Sequence, residues 1–174
     1  LSGETAIGKY PVEAIKIMAR IAEEVEPDRD KQPDDAVSVP IENEIPAYLA
    51  HSAIRTAGDL NPKAIITATT TGRTARYLSA YRSSVPVYAK CHSQHVVREL
   101  ALSFGIIPSF LEIRNNRLEI QKAAIQILLE NQIIGMADLI IYVGGRFGED
   151  CGASFVEIST VDQLFPKQKT VGIT

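Results

Sequence analysis

A chain of 174 residues with a formal charge of −3, 45% hydrophobic and 22% charged, has the make-up of one ordinary globular domain, or of one domain with part of another. No basic face dominates, which sets nucleic acid aside as a partner, and two thiols, Cys91 and Cys151, point to a reducing compartment instead of a disulfide framework. No apolar run approaches the roughly 18 to 20 residues that a bilayer crossing needs, so the expected setting is the cytoplasm, with no membrane partner. The chain opens on Leu1 and goes straight into a motif, as expected of a piece of something longer.

Residues 11–25, PVEAIKIMARIAEEV, set Val12, Ile15, Met18 or Ala19, Ala22 and Val25 on one face at helical spacing, with Pro11 suited to the first turn. The stretch 26-EPDRDKQPDDAVSVP-40 has three prolines among charges and no period, which predicts a linker at a domain boundary. A second helix is predicted over 43–58, with Gly58 as its C-cap. Short apolar runs then recur at 64–69, 86–90, 107–111 and 138–143, separated by helical stretches at 73–81, 93–104 and 116–131. Strand and helix alternating at this spacing predict βαβ units and a mainly parallel sheet with both faces covered. A glycine-rich loop, 144–154, leads without a helix into 154-SFVEIS-159, which is expected to return antiparallel; 168-QKTVGIT-174 is a candidate edge strand. The fold class expected is α/β, a three-layer α/β/α sandwich on a mixed, mostly parallel five-stranded sheet.

Loops that follow the strands of a parallel sheet gather at one edge, where ligands bind. The loop 69-TTTGRT-74 also opens a helix, whose first N–H groups and dipole favour an anion. Thr69, Thr70, Thr71 and Thr74 offer neutral donors, Gly72 lets the backbone approach, and Arg73 adds a planar cationic fork matched to phosphate oxygens. The competing account is local: Thr71 or Thr74 caps the helix, and Thr67 and Thr69 are strand residues. Gly144, Gly145, Arg146, Gly148, Gly152 and Ser154 form the second loop at this edge, for which a plain glycine-rich hairpin turn is the competing account.

The other candidates carry less. Cys91, His92 and His95 lie close together, but a metal needs three or four ligands and nothing nearby supplies the rest, so no metal site is assigned. Ser93 is expected to cap the helix that follows, and His51 reads as a surface or half-buried polar residue. No Ser/His/Asp or Cys/His set with a supporting acid stands out.

The first 24 residues, LSGETAIGKYPVEAIKIMARIAEE, closely resemble the end of the catalytic barrel of pyruvate kinase, where the last barrel strand and helix carry LSGETA and then a G-x-Y/F-P-x-E-A pattern. Residues 64–89, AIITATTTGRTARYLSAYRSSVPVYA, resemble the start of that family's C-terminal domain, and 92-HSQHVVRELALSFGIIP-108 and 139-LIIYVGGRFG-148 continue in the same order. The resemblance implies three parts: 1–26 as the end of the last strand and helix of a (β/α)₈ barrel, 27–40 as linker, and 41–174 as the C-terminal effector-binding domain. It implies a parent enzyme that transfers a phosphoryl group from phosphoenolpyruvate to ADP, in glycolysis, with Mg²⁺ and K⁺. Ser2 and Glu4 would border that catalytic site, while the principal catalytic groups would lie upstream, leaving this chain alone inactive. It further implies a homo-oligomer, tetrameric in the parent enzyme.

By the same resemblance, Thr69, Thr70, Thr71, Gly72, Arg73 and Thr74 would hold an effector phosphate, and 144–154 would be the loop that closes over it. Many fructose 1,6-bisphosphate-regulated members place a lysine where this chain has Thr70, and an aromatic residue and an arginine at positions that fall near Ile113 and Ile120 here. A sugar monophosphate or AMP therefore fits these residues better than a bisphosphate, with Arg114, Arg117 or Arg146 as candidate replacements for the missing charge. Two other functions stay open: a stand-alone module binding a phosphorylated ligand, and a purely structural domain for tetramer assembly.

Overall fold

A computed structural model describes residues 2–29, 45–114, 116–145 and 152–165. The chain divides into two compact units, Leu1–Ser38 and Val39–Thr174. The first holds α1 (Ser2–Ala6) and α2 (Pro11–Arg29). Residues 2–6, where the resemblance implies a strand end, form a single helical turn, and the Ile7 N–H donates to the Gly3 carbonyl at 3.3 Å. An extended segment needs a neighbouring strand to satisfy its backbone, and among the described residues none pairs with this one; a helical turn satisfies it locally. On α2 the predicted apolar residues Val12, Ile15, Met18 and Val25 are all exposed. No helix among the described residues is long and apolar enough to cross a membrane.

The second unit runs α3 (Ile45–Leu60), β1 (Ala64–Thr69), α4 (Arg73–Ala80), β2 (Val87–Cys91), α5 (Gln94–Leu100), β3 (Ile106–Phe110), α6 (Arg117–Glu130), β4 (Leu139–Gly145), β5 (Ala153–Thr160) and α7 (Val161–Leu164). The strands form one five-stranded sheet in the order β3-β2-β1-β4-β5, parallel except for β5, which runs against β4. Side chains alternate across it as strand geometry demands. Ile65, Val87, Ala89, Cys91, Ile141 and Val143 pack with α3, α4 and α5, through Ala53, Leu78 and Leu100 among others. Ile66, Ile140 and Tyr142 point the other way, onto Ile120, Ala124, Ile125 and Leu128 of α6. Each fully buried aliphatic side chain contributes about 1.5–3 kcal/mol, which is why the apolar runs lack polar alternation. The three-layer α/β/α sandwich expected from the sequence is the architecture.

Boundaries differ where backbone conformation overrides the pattern. Gly58 does not end α3: the helix continues to Leu60, and Asn61, at φ 46°, takes the left-handed position while its N–H donates to the Ala57 carbonyl at 2.9 Å. The helix predicted over 93–104 stops at Leu100 and turns through Ser103 and Gly105 (φ 68°) to start β3 one residue early. Ser93 caps α5 as expected, accepting the His95 N–H at 3.2 Å. Asn116 caps α6, its Oδ1 accepting the Glu119 N–H at 2.9 Å. The candidate strand 168–174 lies outside the described residues.

Candidate functional site

The strand order reverses at β1: the chain steps outward to β2 and β3 on one side and returns to β4 on the other. The strand order switches between β1, which leads into α4, and β4, which leads straight to β5, and the carboxyl ends of the strands at such a topological switch point are where open α/β sheets bind ligands. Residues 69–74 lie there. Thr69 ends β1, Thr70 and Thr71 are exposed, and Gly72 is the N-cap of α4 with φ 79° and ψ −1°. Thr69 Oγ1 accepts the Gly72 N–H at 2.9 Å, drawing the loop into a tight turn. The Arg73 N–H donates to Thr71 Oγ1 over a long 3.5 Å, and the N-cap residue, Gly72, has no side chain with which to cap the helix. Left-handed Gly72 occupies the N-cap position, Thr71 accepts one first-turn N–H from just before it, and Thr74 is buried in the first turn. The left-handed backbone calls for glycine here, and a Cβ would in addition crowd Val96 Cγ1 at 3.1 Å and Arg76 Nη1 at 3.3 Å.

The loop is braced from behind by residues that the sequence does not advertise. The His92 N–H donates to the Thr69 carbonyl at 3.3 Å, continuing the β1–β2 ladder past its end. Arg76 on α4 donates from Nη1 to the Thr71 carbonyl at 2.9 Å and from Nη2 to Glu99 Oε2, on α5, at 2.8 Å. His95 Nε2 lies 3.3 Å from Glu99 Oε1. Arg76 and Glu99 are 23 residues apart, and only the packing of α4 beside α5 brings them together.

The two ends of the second predicted loop belong to the sheet. Gly144 and Gly145 belong to β4, opposite Phe155 and Ala153, with a register shift between them, and Ser154 is an exposed residue of β5. A Cβ on Gly144 would lie 2.6 Å from both the Phe155 and the Tyr142 rings, and one on Gly145 would lie 2.9 Å from the Gly152 carbonyl carbon, so both positions need glycine for the pairing to reach this far. Gly152 precedes β5 and abuts Pro46. Arg146 and Gly148 lie outside the described residues. Ser2 and Glu4 lie in α1 of the first unit.

Of the positions weighed for a second anionic group, Ile113 is 59% exposed and Ile120 only 2% exposed, locked in the α6 core. Arg114 is exposed, and Arg117, in the first turn of α6, sets its guanidinium carbon 4.5 Å above the Phe155 ring. Lys90, near the end of β2, is only 3% exposed and donates to Ser109 Oγ at 2.8 Å. Burial pushes its pKa down, and no carboxylate among the described residues pairs with it. Lys90 went unnoticed in the sequence because a lysine near a strand end ordinarily reaches solvent. His92 Nδ1 lies 2.7 Å from the Leu111 carbonyl, and among the described residues no group of three or more His, Cys, Asp or Glu is placed to hold a metal.

A family model described as pyruvate kinase, alpha/beta domain, matches residues 48–159. A pyruvate kinase of Borreliella burgdorferi is 34% identical over 165 residues, covering 93% of this chain and 35% of the relative. One from Bacillus licheniformis is 34% identical over 181 residues, covering 99% and 30%. A crystal structure of a pyruvate kinase from Cryptosporidium parvum superimposes with a TM-score of 0.72 at 30% identity, covering 92% of this chain and 32% of that one. The chain therefore spans about a third of the length of the curated relatives it matches, 35% and 30% in these two.

Proposed function

We propose a regulatory role from a plain premise: the chain belongs to the pyruvate kinase alpha/beta domain family, which its residues 48–159 match. The role is to bind a phosphorylated small molecule at residues 69–74 and pass the result through subunit contacts to a catalytic barrel. The observation that carries this reading is the opening of α4 at the switch point, with no side-chain cap, a left-handed glycine and Arg73 beside it. First-turn N–H groups and a guanidinium are complementary to a phosphate dianion. The buried Ile120 and exposed Ile113 support a ligand with one phosphate, a sugar monophosphate or AMP, over a bisphosphate.

The parent enzyme on this reading is a homotetrameric pyruvate kinase that converts phosphoenolpyruvate and ADP to pyruvate and ATP. Mg²⁺ and K⁺ would serve its barrel, with Ser2 and Glu4 bordering that site, and this chain alone would not catalyse the reaction. An effector that favours one of two quaternary states would couple to the barrel with about 1–3 kcal/mol. A second reading, an assembly domain without an effector, is favoured by one detail: Thr69 Oγ1 and the Thr71 carbonyl are already engaged inside the protein.

A thermal-melt panel decides between them. Inorganic phosphate, glucose 6-phosphate, ribose 5-phosphate, AMP and fructose 1,6-bisphosphate are added to this chain and to Arg73→Ala. A monophosphate at about 100 times its Kd should add roughly 2.7 kcal/mol, a shift of several degrees that Arg73→Ala removes. No shift with any ligand leaves the assembly domain.

A further inference from the structure

We infer that Glu99, on α5, is a positioning residue for the phosphate loop, acting through Arg76; the inference rests on the effector reading of residues 69–74. The geometry is a relay of three groups. Arg76 Nη1 holds the Thr71 carbonyl at 2.9 Å, and Arg76 Nη2 is held by Glu99 Oε2 at 2.8 Å. The Thr71 carbonyl belongs to the peptide whose N–H, on Gly72, is pinned by Thr69 Oγ1 at 2.9 Å. Both ends of that one peptide are therefore fixed, the N–H by β1 and the carbonyl by α4.

An anion at the start of α4 meets two hazards from this loop. A carbonyl oxygen turned toward it would repel it, and a peptide free to rotate would lose entropy on binding. Arg76 removes both by drawing the Thr71 oxygen to a cation. Arg76 is itself a long, flexible side chain that lies half in solvent, and one carbonyl alone holds it weakly. Glu99 occupies the other half of the guanidinium fork, so the fork is oriented by two acceptors instead of one. Val96, also on α5, touches the space beside Gly72, so the same helix supports the turn sterically and electrostatically.

The relay makes an unusual demand of sign. Glu99 is an anion near an anion-binding loop, and by simple charge repulsion its removal should tighten phosphate binding. If instead it works by orienting Arg76, its removal should weaken binding. An Arg76 released from Glu99 could also swing to the phosphate and strengthen it, which again predicts tightening. The two accounts differ in direction, not merely in size.

The test uses the whole chain, with inorganic phosphate and glucose 6-phosphate titrated by calorimetry and the exchange of the Gly72 amide followed by NMR. Glu99→Gln should weaken both ligands by about three- to fivefold, as expected for a half-exposed ion pair. Arg76→Ala should do the same, and the double variant should be no weaker than Arg76→Ala alone, since Glu99 acts through it. Gly72 exchange should quicken in all three variants while the melting temperature of Glu99→Gln stays close to wild type. Unchanged or tighter binding in Glu99→Gln, or additive losses in the double variant, would overturn the relay. Should wild type bind neither ligand, the effector reading fails by itself; quicker Gly72 exchange in Glu99→Gln would then still support the relay, and unchanged exchange would overturn it.

Discussion

Gly144 and Phe155 face each other across the β4–β5 ladder, and the Phe155 ring occupies the space that a Cβ on Gly144 would need, at 2.6 Å. The Tyr142 ring closes the same space from the other side, also at 2.6 Å. Phe155 in turn carries the Arg117 guanidinium at 4.5 Å, so this glycine sits beneath a stack that reaches the first turn of α6. Gly144→Ala should therefore act as overpacking, costing about 1–3 kcal/mol. Urea unfolding measures it, and a loss below about 0.5 kcal/mol would mean that the rings move aside freely.

Gly72→Ala should cost about 1–2 kcal/mol for the left-handed backbone alone, with the contact to Val96 added. The same change should abolish any melt shift from a monophosphate, because the turn that opens α4 cannot form unstrained. A variant as stable as wild type would show that the turn adopts another conformation in solution.

Lys90 should make the protein less stable near neutrality than an apolar residue would. Burial lowers its pKa below the usual 10.5, so folding disfavours the proton it carries in the unfolded chain. That penalty is complete below the folded pKa and fades as pH rises toward 10.5, because the unfolded state binds more protons through that window. Lys90→Met should raise stability by about 1–2 kcal/mol at pH 7, and its advantage over wild type should shrink as pH rises. Urea melts at pH 7 and at pH 10 compare the two; an advantage that grows with pH contradicts the assignment.

Cys91 runs the other way. Burial pushes its thiol from 9.0 up to about 11, with the Lys90 charge pulling it partly back. The unfolded chain loses the thiol proton first, so this group's contribution falls as pH rises from about 9 to 11. In a Cys151→Ser background, Cys91 should resist a thiol reagent at pH 8 for as long as the chain stays folded, and react at the rate of unfolding once urea is added. Prompt reaction without denaturant would show that β2 opens locally.

The sheet was legible because burial on both faces writes itself as unbroken apolar runs: 64-AIITAT-69 and 139-LIIYV-143 have nowhere else to go. The 69–74 loop was legible for the same reason, since a strand that ends in threonines and glycine before a helix has few geometries open to it. What stayed hidden depends on neighbours distant in sequence. Gly144 reads as loop until Phe155 is known to lie across from it, and Gly58 reads as a cap until Asn61 takes the left-handed turn. Glu99 looks like any solvated helix charge, and its bond to Arg76 exists only because α4 and α5 lie side by side on one face of the sheet. Residues 2–6, SGETA, look like a strand end by resemblance but form the helical turn α1, because a strand is defined by partners, not by its own residues.

The placement of β1 between β2 and β4 has a consequence for how the chain is made. On a ribosome, β1, β2 and β3 emerge in order and can assemble as a half-sheet, but the other flank of β1 waits for residues 139–145. Through that interval Ile65 and Ile66 border an open row of backbone donors and acceptors, the kind of edge that recruits strands from other chains. A pause in synthesis between α6 and β4 leaves that edge of β1 unpaired, and the arrival of β4 with β5 closes it.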